Sequence, residues 1–244
     1  MMKKLIQRTL RHFGYELRRT GDAFSLQKEL IKGRDPVIFD VGAHVGSVAR
    51  KYRELFPLAS IYCFEPFPPS FEKLVQNFGG DNRISCYKVA VSEKRGKAVF
   101  NANLSSSTNS LLATDPRGGR YWGEGLLDTN AQVEVDTTTI DCFFHENRIS
   151  HIDILKLDVQ GAEFAALNGA TEVLSHSKVS LIYTELIMCP TYVGQHKLYE
   201  YLAFLDSYGY EFLDYFNPER SGKQLIQADI VFLNSSFKKA LGNL

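Results

Sequence analysis

Residues 37–46 read Val37-Ile38-Phe39-Asp40-Val41-Gly42-Ala43-His44-Val45-Gly46, an apolar run that ends in an acidic turn with two glycines. The apolar residues predict a buried strand over Val37–Val41, and a helical pattern follows from about 46 to 55. Glycine lets the backbone of the turn pass close to a ligand, and the N-terminus of the helix offers unpaired N–H groups. The stretch therefore predicts the first strand–turn–helix unit of a ligand-binding α/β domain.

The turn has the spacing Asp-x-Gly-x-x-x-Gly, which differs from the dinucleotide fingerprint Gly-x-Gly-x-x-Gly. The missing central glycine obstructs the approach of a pyrophosphate, and the carboxylate of Asp40 repels one. A ligand with an amino group and a sulfonium, but no phosphate, suits an acidic turn better. The turn therefore predicts S-adenosylmethionine as the ligand, with Asp40, Gly42, Ala43 and Gly46 as binding residues.

Outward from this unit, short β-rich runs alternate with helical patterns, which favours a parallel α/β sheet. The further predicted strands are Ser60–Glu65, Ile84–Ala90, Asp153–Asp158 and Val179–Glu185. The predicted helices cover about 46–55, 69–78, 137–147, 162–174 and 195–208. A last pair of strands, Glu211–Phe216 and Asp229–Leu233, has no helix between them and predicts an antiparallel hairpin at the sheet edge.

Glu65 ends the second predicted strand, 25 positions after Asp40. An acid about 20 residues beyond a glycine turn is placed to accept hydrogen bonds from ribose hydroxyls. NAD enzymes share this device, so Glu65 indicates a nucleoside and the Asp40 turn selects the cofactor. Four further residues are predicted to wall the adenosine: Pro66, Phe67, Val89 and Ala90.

The fourth predicted strand carries Lys156 and Asp158, which share one face because side chains alternate along a strand. A lysine inside an apolar strand needs a charge partner, since burying an unpaired ammonium is costly. The pair is either structural or part of a site, and Asp158 lies at the carboxyl end, where open α/β sheets bind ligands. Glu163 falls in the first turn of the next helix, where the dipole favours a carboxylate. Glu185 brings another acid to the same edge.

Together these segments resemble the FkbM-family methyltransferases, a branch of the class I S-adenosylmethionine-dependent enzymes. The resemblance runs from about Val37 to Leu233 and is most specific in Lys156-Leu157-Asp158-Val159-Gln160-Gly161-Ala162-Glu163. The other matching segments are Val37-Ile38-Phe39-Asp40-Val41-Gly42-Ala43, Phe64-Glu65-Pro66, Val89-Ala90-Val91-Ser92, Val135-Asp136-Thr137-Thr138-Thr139-Ile140-Asp141 and Tyr183-Thr184-Glu185. The resemblance implies a Rossmann-like class I methyltransferase fold with a seven-stranded sheet, S-adenosylmethionine as donor, and O-methylation of a hydroxyl on a sugar or polyketide.

The chain departs from many of these relatives at Gln160, where they carry glutamate. An amide does not accept a proton near neutral pH. We therefore predict Asp158 as the base or hydroxyl orienter, with Lys156 holding its charge and with Glu163 and Glu185 as the other candidates. His44, beside the donor turn, is an alternative base. Two other functions stay open: a non-catalytic nucleoside-binding scaffold and an NAD(P)-dependent reductase.

Composition limits the possible partners and compartments. The chain has 244 residues, 44% of them hydrophobic and 23% charged, which predicts one large globular domain. Its 28 basic and 28 acidic residues balance, so we expect no nucleic-acid binding. The four cysteines and six histidines show no metal-ligand or disulfide spacing, so we predict no metal site and a cytoplasmic protein. The oligomeric state is left open.

The first 20 residues carry six basic side chains and one acidic, a net charge of +5 that leaves −5 for the remainder. Ile6, Leu10, Phe13 and Leu17 recur at helical spacing, so residues 1–24 predict a basic amphipathic helix or arm before a domain at 25–244. The segment lacks the features of a signal peptide. It either contacts an anionic membrane surface or packs on its own domain.

Residues 101–130 differ from the rest of the chain, with the run Ser105–Ser110, several glycines, Arg117, Arg120 and the single tryptophan, Trp122. A polar insertion of this length in a compact domain is typical of a lid or binding loop. We predict a lid that offers hydroxyls, cations and one aromatic face to a carbohydrate or other small-molecule acceptor; the alternative is a mobile surface connection.

Overall fold

A computed structural model describes residues 21–123 and 125–242 of the chain. Its strands are β1 (Val37–Val41), β2 (Ser60–Phe64), β3 (Ile84–Tyr87), β4 (Ala90–Val91), β5 (Gly96–Asn103), β6 (Thr129–Thr138), β7 (Ile152–Leu157), β8 (Val179–Ile187), β9 (Tyr210–Ser221) and β10 (Gln224–Asn234). Its α-helices are α1 (Ala23–Leu30), α2 (Ser47–Leu55), α3 (Pro68–Phe78), α4 (Gly119–Trp122), α5 (Ile140–Glu146), α6 (Glu163–Asn168), α7 (Thr171–Ser175), α8 (Leu198–Ser207) and α9 (Ser235–Leu241).

Seven strands form the main sheet in the order β3-β2-β1-β7-β8-β10-β9. The first five are parallel, and β10 runs antiparallel to both of its neighbours. The predicted seven-stranded, mostly parallel sheet with an antiparallel edge hairpin is confirmed. The strand order reverses between β1 and β7, and open α/β sheets bind ligands at the carboxyl ends of the strands at such a point.

Each face of the sheet buries its own hydrophobic core, because alternate residues of a strand point to opposite faces. Phe39 packs on one face with α5–α8, where the ring of Phe143 lies 4.7 Å from that of Phe64. Ile38 packs on the other face with α1–α3. Two covered faces explain why the central strands are nearly continuous apolar runs.

A second sheet, with the order β4-β6-β5, was not predicted from the sequence. Its pairing corrects two predicted elements. The predicted third strand ends at Tyr87 in the main sheet, and Ala90 and Val91 instead pair with Thr137 and Thr138 of β6. The helix predicted from residue 137 begins at Ile140, because those two threonines are strand residues.

The helix predicted over 162–174 is two short helices, α6 and α7, interrupted at Gly169. A Cβ on Gly169 would lie 2.2 Å from the carbonyl oxygen of Ser92, closer than any side chain can approach. The break therefore lets the segment pass close to the loop after β4.

The predicted arm at residues 1–24 lies, up to residue 20, outside the described residues, so the basic helix stays a prediction. Ala23 and Phe24 belong to α1, where Phe24 packs 5.3 Å from Tyr52 and 5.6 Å from Tyr183, measured between ring centroids. Over the described ranges, the structure contains no helix with the length and apolarity needed to cross a bilayer.

Candidate active site

A cavity of about 250 Å³ opens at the carboxyl edge of the main sheet, where β1, β2, β7 and β8 end. Its wall combines apolar side chains with three carboxylates and one histidine. The lining residues are Val41, Gly42, His44, Phe64, Glu65, Pro66, Val89, Ala90, Val91, Phe100, Ser106, Ser107, Asn109, Leu111, Asp158, Val159, Gln160 and Glu185.

Gly42 begins the turn after β1 and adopts a φ of +77°, a conformation that favours glycine. A Cβ at this position would lie 1.8 Å from the carbonyl oxygen of Asp158. Only glycine therefore allows the turn after β1 to lie against the end of β7.

Lys156 lies beneath this turn and is 3% exposed. Its Nζ is 2.9 Å from Asp40 Oδ1 and 3.6 Å from Asp158 Oδ2, and it donates to the carbonyl oxygen of Gly42 at 2.9 Å. Burial opposes the charge, but the two carboxylates outweigh it and hold the pKa of the ammonium above its usual value. Lys156 thus neutralises the fully buried Asp40 and fixes the turn, without lining the cavity itself.

Glu65 follows β2 and is 6% exposed. Its Oε2 accepts a hydrogen bond from the backbone N–H of His44 at 2.9 Å, and its Oε1 accepts one from Phe67 at 2.8 Å. Burial raises the pKa of Glu65 to about 7, against the opposing effect of the two amides. The carboxylate joins the loops after β1 and β2 and still faces the cavity.

The side chain of Gln160 stands between two carboxylates. Its Nε2 donates to Asp158 Oδ1 at 3.0 Å and to Glu185 Oε2 at 2.7 Å. The other oxygen of Glu185 accepts from Gln227 Nε2 at 2.6 Å. Burial, reinforced by the charge of Asp158, raises the pKa of Glu185 well above its usual value. One amide therefore holds the acids at the ends of β7 and β8 in a single row.

Glu163 does not line the cavity and is 1% exposed. Its Oε1 accepts from the backbone N–H groups of Val159 at 2.9 Å and Gly161 at 3.2 Å. Burial raises the pKa of Glu163 to about 7. The side chain holds the turn between β7 and α6, and it does not meet Asp158 in the cavity wall.

The structure thus brings some of the predicted site residues together and separates others. Those that line the cavity are Gly42, Glu65, Pro66, Val89, Ala90, Asp158 and Glu185. Those that do not line it are Asp40, Ala43, Gly46, Phe67, Lys156 and Glu163. Gly46, for example, packs on α3, where an added Cβ would lie 2.2 Å from the ring of Phe78.

The first part of the connection between β5 and β6, residues 106–111, lies over one side of the cavity. Ser106 Oγ is 2.9 Å from His44 Nε2, and Ser110 Oγ donates to the carbonyl oxygen of Gln160 at 2.7 Å. Burial lowers the pKa of His44. Trp122 does not line the cavity: its Nε1 donates to Thr191 Oγ1 at 2.8 Å, and its ring packs beside Tyr192.

Sequence reasoning missed several residues around the cavity. Gln160 was noted only as a departure from relatives, and Tyr192, Gln227 and Asn109 gave no signal at all. They come from a turn, two loops and the edge hairpin, and only the folded chain brings them to one place. Phe100 and Leu111 belong to the unpredicted β5 and the connection after it.

Comparison with known proteins gives consistent matches. A family model described as the methyltransferase FkbM domain matches residues 40–212. The 2-O-methyltransferase NoeI of Sinorhizobium fredii is 30% identical over 212 residues, covering 83% of this chain and 86% of that protein. The 31-O-demethyl-FK506 methyltransferase FkbM of Streptomyces tacrolimicus is 28% identical over 156 residues, covering 56% of this chain and 60% of that protein.

Two further matches are more distant. The hexuronic acid methyltransferase AglP of Haloferax volcanii is 23% identical over 153 residues, covering 62% of this chain and 56% of that protein. Among solved structures, an rRNA methylase from Streptococcus thermophilus gives a TM-score of 0.51 at 10% identity, covering 89% of this chain and 99% of that chain. This last likeness bears on the fold alone, and it agrees with the predicted class I methyltransferase fold.

Proposed function

Because the chain belongs to the FkbM family and is a methyltransferase, we propose that it transfers the methyl group of S-adenosylmethionine to a hydroxyl of a sugar or polyketide-type acceptor. We assign Asp158 as the group that orients and deprotonates this hydroxyl. The observation that carries the proposal is the row Asp158–Gln160–Glu185, which faces the same cavity as Glu65.

The residues around the cavity fit the nucleoside half of the donor. A carboxylate offers about four acceptor positions, and Glu65 uses two of them for the N–H groups of His44 and Phe67. The remaining lone pairs suit the two ribose hydroxyls. Val89, Ala90 and Leu111 supply an apolar wall for the adenine ring.

The charge of the cavity fits the other half of the donor. Its titratable lining residues are three acids and His44, whose pKa is lowered by burial so that the imidazole is neutral near pH 7. Such a wall favours a sulfonium and an amino group over a phosphate. This charge distribution supports S-adenosylmethionine against a pyrophosphate-bearing cofactor.

S-adenosylmethionine supplies an electrophilic methyl group and, in its sulfonium, a good leaving group. The chain's own task is to hold the acceptor oxygen in line, and alignment of this kind can contribute about 7–11 kcal/mol to lowering a barrier. A base that accepts the hydroxyl proton typically adds about 10²–10⁴-fold.

Asp158 suits the role of base because its carboxylate lines the cavity and is accessible from it. Its side chain is 35% exposed, receives a hydrogen bond from Gln160 and lies 3.6 Å from the Lys156 ammonium. Glu185 is the opposite case, since burial raises its pKa and favours the protonated form. Two acids with different environments take different roles, so Asp158 accepts the proton and Glu185 holds the acceptor and the amide.

The relatives support a hydroxyl-bearing acceptor. NoeI is a 2-O-methyltransferase, FkbM acts on 31-O-demethyl-FK506, and AglP is a hexuronic acid methyltransferase. A cavity wall of carboxylates, an amide and serine hydroxyls suits the hydroxyl groups of a sugar, because each of these groups can exchange hydrogen bonds with one.

The test combines donor binding with methyl transfer. Calorimetry with S-adenosylhomocysteine measures the donor site, and methyl-labelled donor with neutral hexose glycosides, hexuronic acid glycosides and a hydroxylated macrolide measures transfer. Asp158→Asn is expected to keep binding within about threefold and to lose about 10²–10⁴-fold in rate. Asp153→Asn is the matched control, because Asp153 lies at the opposite end of β7, where its Oδ2 accepts from the backbone N–H of Val37 at 2.8 Å. A rate near wild type in Asp158→Asn would remove Asp158 from the chemistry.

We further propose a cytoplasmic enzyme that touches anionic membranes through residues 1–20, on the support of their net charge of +5 and the scattered cysteines. A basic segment is attracted to anionic lipid by about 1 kcal/mol per charge near the surface. Co-sedimentation with phosphatidylserine vesicles should exceed that with phosphatidylcholine vesicles for the full chain and not for a chain lacking residues 1–20. Equal binding to both vesicles would contradict an electrostatic contact.

A further inference from the structure

Tyr192, in the loop after β8, lies against the amide that separates the two carboxylates. Its side chain is 2% exposed, and its hydroxyl oxygen is 3.1 Å from Gln160 Oε1 and 2.9 Å from the carbonyl oxygen of Thr108. Both neighbours are acceptors and the phenol has a single hydrogen, so its O–H is shared between them as a bifurcated donor. The oxygen end of the amide therefore faces Tyr192, and its nitrogen end faces Asp158 and Glu185.

The orientation of this amide matters because an amide has one donor end and one acceptor end. With Nε2 toward the carboxylates it stabilises their charged forms. Turned by 180°, it would place Oε1 against an ionised carboxylate and repel it. The carboxylates favour the first orientation at the nitrogen end of the amide, and the Tyr192 hydroxyl is placed to reinforce it at the oxygen end.

Contacts other than this one hold Gln160 and Tyr192 in place. The backbone of Gln160 has a φ of +56°, and its carbonyl oxygen accepts from Ser110 Oγ at 2.7 Å. The backbone N–H of Tyr192 donates to Gln195 Oε1 at 2.7 Å. A Cβ on Gly161 would lie 2.8 Å from the Tyr192 ring, so the ring packs directly on the turn. The backbone of Gln160 is therefore fixed, and only its side chain can still rotate. The Tyr192 hydroxyl can restrict that rotation.

We infer that Tyr192 is a positioning residue that fixes the amide of Gln160 with its N–H groups toward Asp158 and Glu185. The inference rests on the proposed function, because the two carboxylates are assigned there to the reaction. Tyr192 acts through Gln160 and does not line the cavity itself.

The first test is the pH dependence of methyl transfer in Tyr192→Phe. Loss of the oriented donor disfavours the charged carboxylates, so the acidic limb of the pH–rate profile is expected to move to higher pH by about half to one unit. The rate deficit is therefore largest below the limb, about 3–10-fold, and shrinks as the pH rises above it. The affinity for S-adenosylhomocysteine is expected to stay within twofold.

Tyr210→Phe is the matched control. The Tyr210 hydroxyl is also buried, and it donates to the carbonyl oxygen of Val179 at 2.8 Å, at the opposite end of β8. Its removal costs a comparable hydrogen bond and should leave the acidic limb unchanged. A limb that moves equally in both variants would show a general loss of stability and overturn the inference.

A double variant tests whether Tyr192 acts through Gln160, because coupled residues give non-additive effects. In a Gln160→Ala background, Tyr192→Phe should leave the limb where Gln160→Ala alone has placed it. A further shift in this background, or no shift in the wild-type background, would overturn the inference.

A measurement without turnover separates this inference from the proposed function. In protein labelled with carbon-13 at the side-chain carboxyls, the Glu185 signal is assigned by its loss in Glu185→Gln. Tyr192→Phe should raise the titration midpoint of Glu185, and Tyr210→Phe should not. If wild-type protein binds no S-adenosylhomocysteine and transfers no methyl group, the proposed function fails, yet this titration still decides the role of Tyr192. An unchanged midpoint would refute it.

Discussion

Lys156 is the residue that makes an acidic site possible inside an apolar sheet. Its single ammonium lies close to the carboxylates of Asp40 and Asp158, and it also donates a hydrogen bond to the carbonyl oxygen of Gly42. Among the described residues, Asp40 forms its ion pair with Lys156 and with no other cation, and Asp40 Oδ2 has no hydrogen-bond donor. The sequence left open whether Lys156 and Asp158 form a structural ion pair or belong to a site. In the structure Lys156 has both roles, because its ion pairs also fix the turn and the Asp158 carboxylate.

Lys156→Met is expected to be strongly destabilising. It leaves Asp40 as a buried charge without a partner, and breaking such pairs costs about 3–5 kcal/mol. Urea unfolding measures the loss, and Asp40→Asn in the same chain should recover part of it by removing the charge. Lys97→Met is the control, since the pair of Lys97 with Glu134 is exposed and should contribute far less. Similar losses in the two single variants would contradict the importance of burial.

The Glu65 carboxyl should make the affinity of the donor site depend on pH. Burial raises its pKa to about 7, so the carboxyl is largely protonated below that pH and ionised above it. Ribose hydroxyls are better held by the ionised form, which offers only acceptors. The affinity for S-adenosylhomocysteine should therefore rise as the pH increases through about 7, with release of a proton on binding.

Calorimetry with S-adenosylhomocysteine between pH 5.5 and 8.5 checks this expectation. Glu65→Gln should flatten the profile. Glu163→Gln is the matched control, because burial raises the pKa of Glu163 to about 7 as well, although that side chain does not line the cavity. A profile that is flattened equally by both substitutions would show that Glu65 is not its source.

At the scale of elements, the central strands were predictable and the polar ones were not. β1, β2, β7 and β8 are buried on both faces, so each is a short apolar run with an acid at its carboxyl end. β5 and β6 pair mainly with each other. β5 is exposed over its first half and β6 over most of its length, so neither has the continuous apolar run by which the central strands were predicted. Because the carboxyl ends of parallel strands meet at one edge of a sheet, the sequence also placed the carboxylates of Glu65, Asp158 and Glu185 together.

Side-chain partners could not be predicted in this way. Strand position brought Glu163 near the edge, but its burial and its bonds to the turn appear only in the fold. The Gln160–Tyr192 contact joins residues 32 positions apart through two loops, and neither loop has a periodic pattern. Position along a strand thus predicts which residues reach the site, whereas turns decide which of them face it.

The start of α6 depends on Glu163. The side chain accepts two buried N–H groups of the preceding turn, and an unpaired buried donor costs about 1–3 kcal/mol. Glu163→Ala should therefore destabilise the fold in urea unfolding by about that amount or more, while Glu163→Gln, whose amide oxygen can accept the same bonds, should cost much less. Glu163→Gln should also retain methyl transfer, because the residue does not line the cavity. Loss of activity in a stable Glu163→Gln protein would restore the catalytic assignment.

At the scale of the whole molecule, the cavity joins parts of the chain that are far apart in sequence. The main sheet supplies the carboxylates, the β4-β6-β5 sheet supplies Phe100, and the connection from 104 to 128 supplies Ser106, Asn109 and Leu111. The lid predicted at residues 101–130 therefore contributes to the wall through its first part, and its role in acceptor binding stays a prediction. Trp122, expected to face a carbohydrate, is instead hydrogen-bonded to Thr191 beneath it.

The boundary between the N-terminal arm and the domain can be located by comparing the stability of truncated chains. The sequence placed it between residues 24 and 25, yet Asp22 caps α1, and Ala23 and Phe24 pack against the face of the sheet that also holds Lys156. Removing a buried phenylalanine side chain typically costs about 3–5 kcal/mol. A chain that begins at residue 25 should therefore unfold at a lower urea concentration than one that begins at residue 21. Phe24→Ala in the longer chain should reproduce most of the difference, and Leu26, half-buried on the same helix, offers the milder comparison Leu26→Ala. Equal stability of the chains starting at 21 and 25 would place the boundary where the sequence put it and would leave Ala23 and Phe24 without a part in holding the sheet.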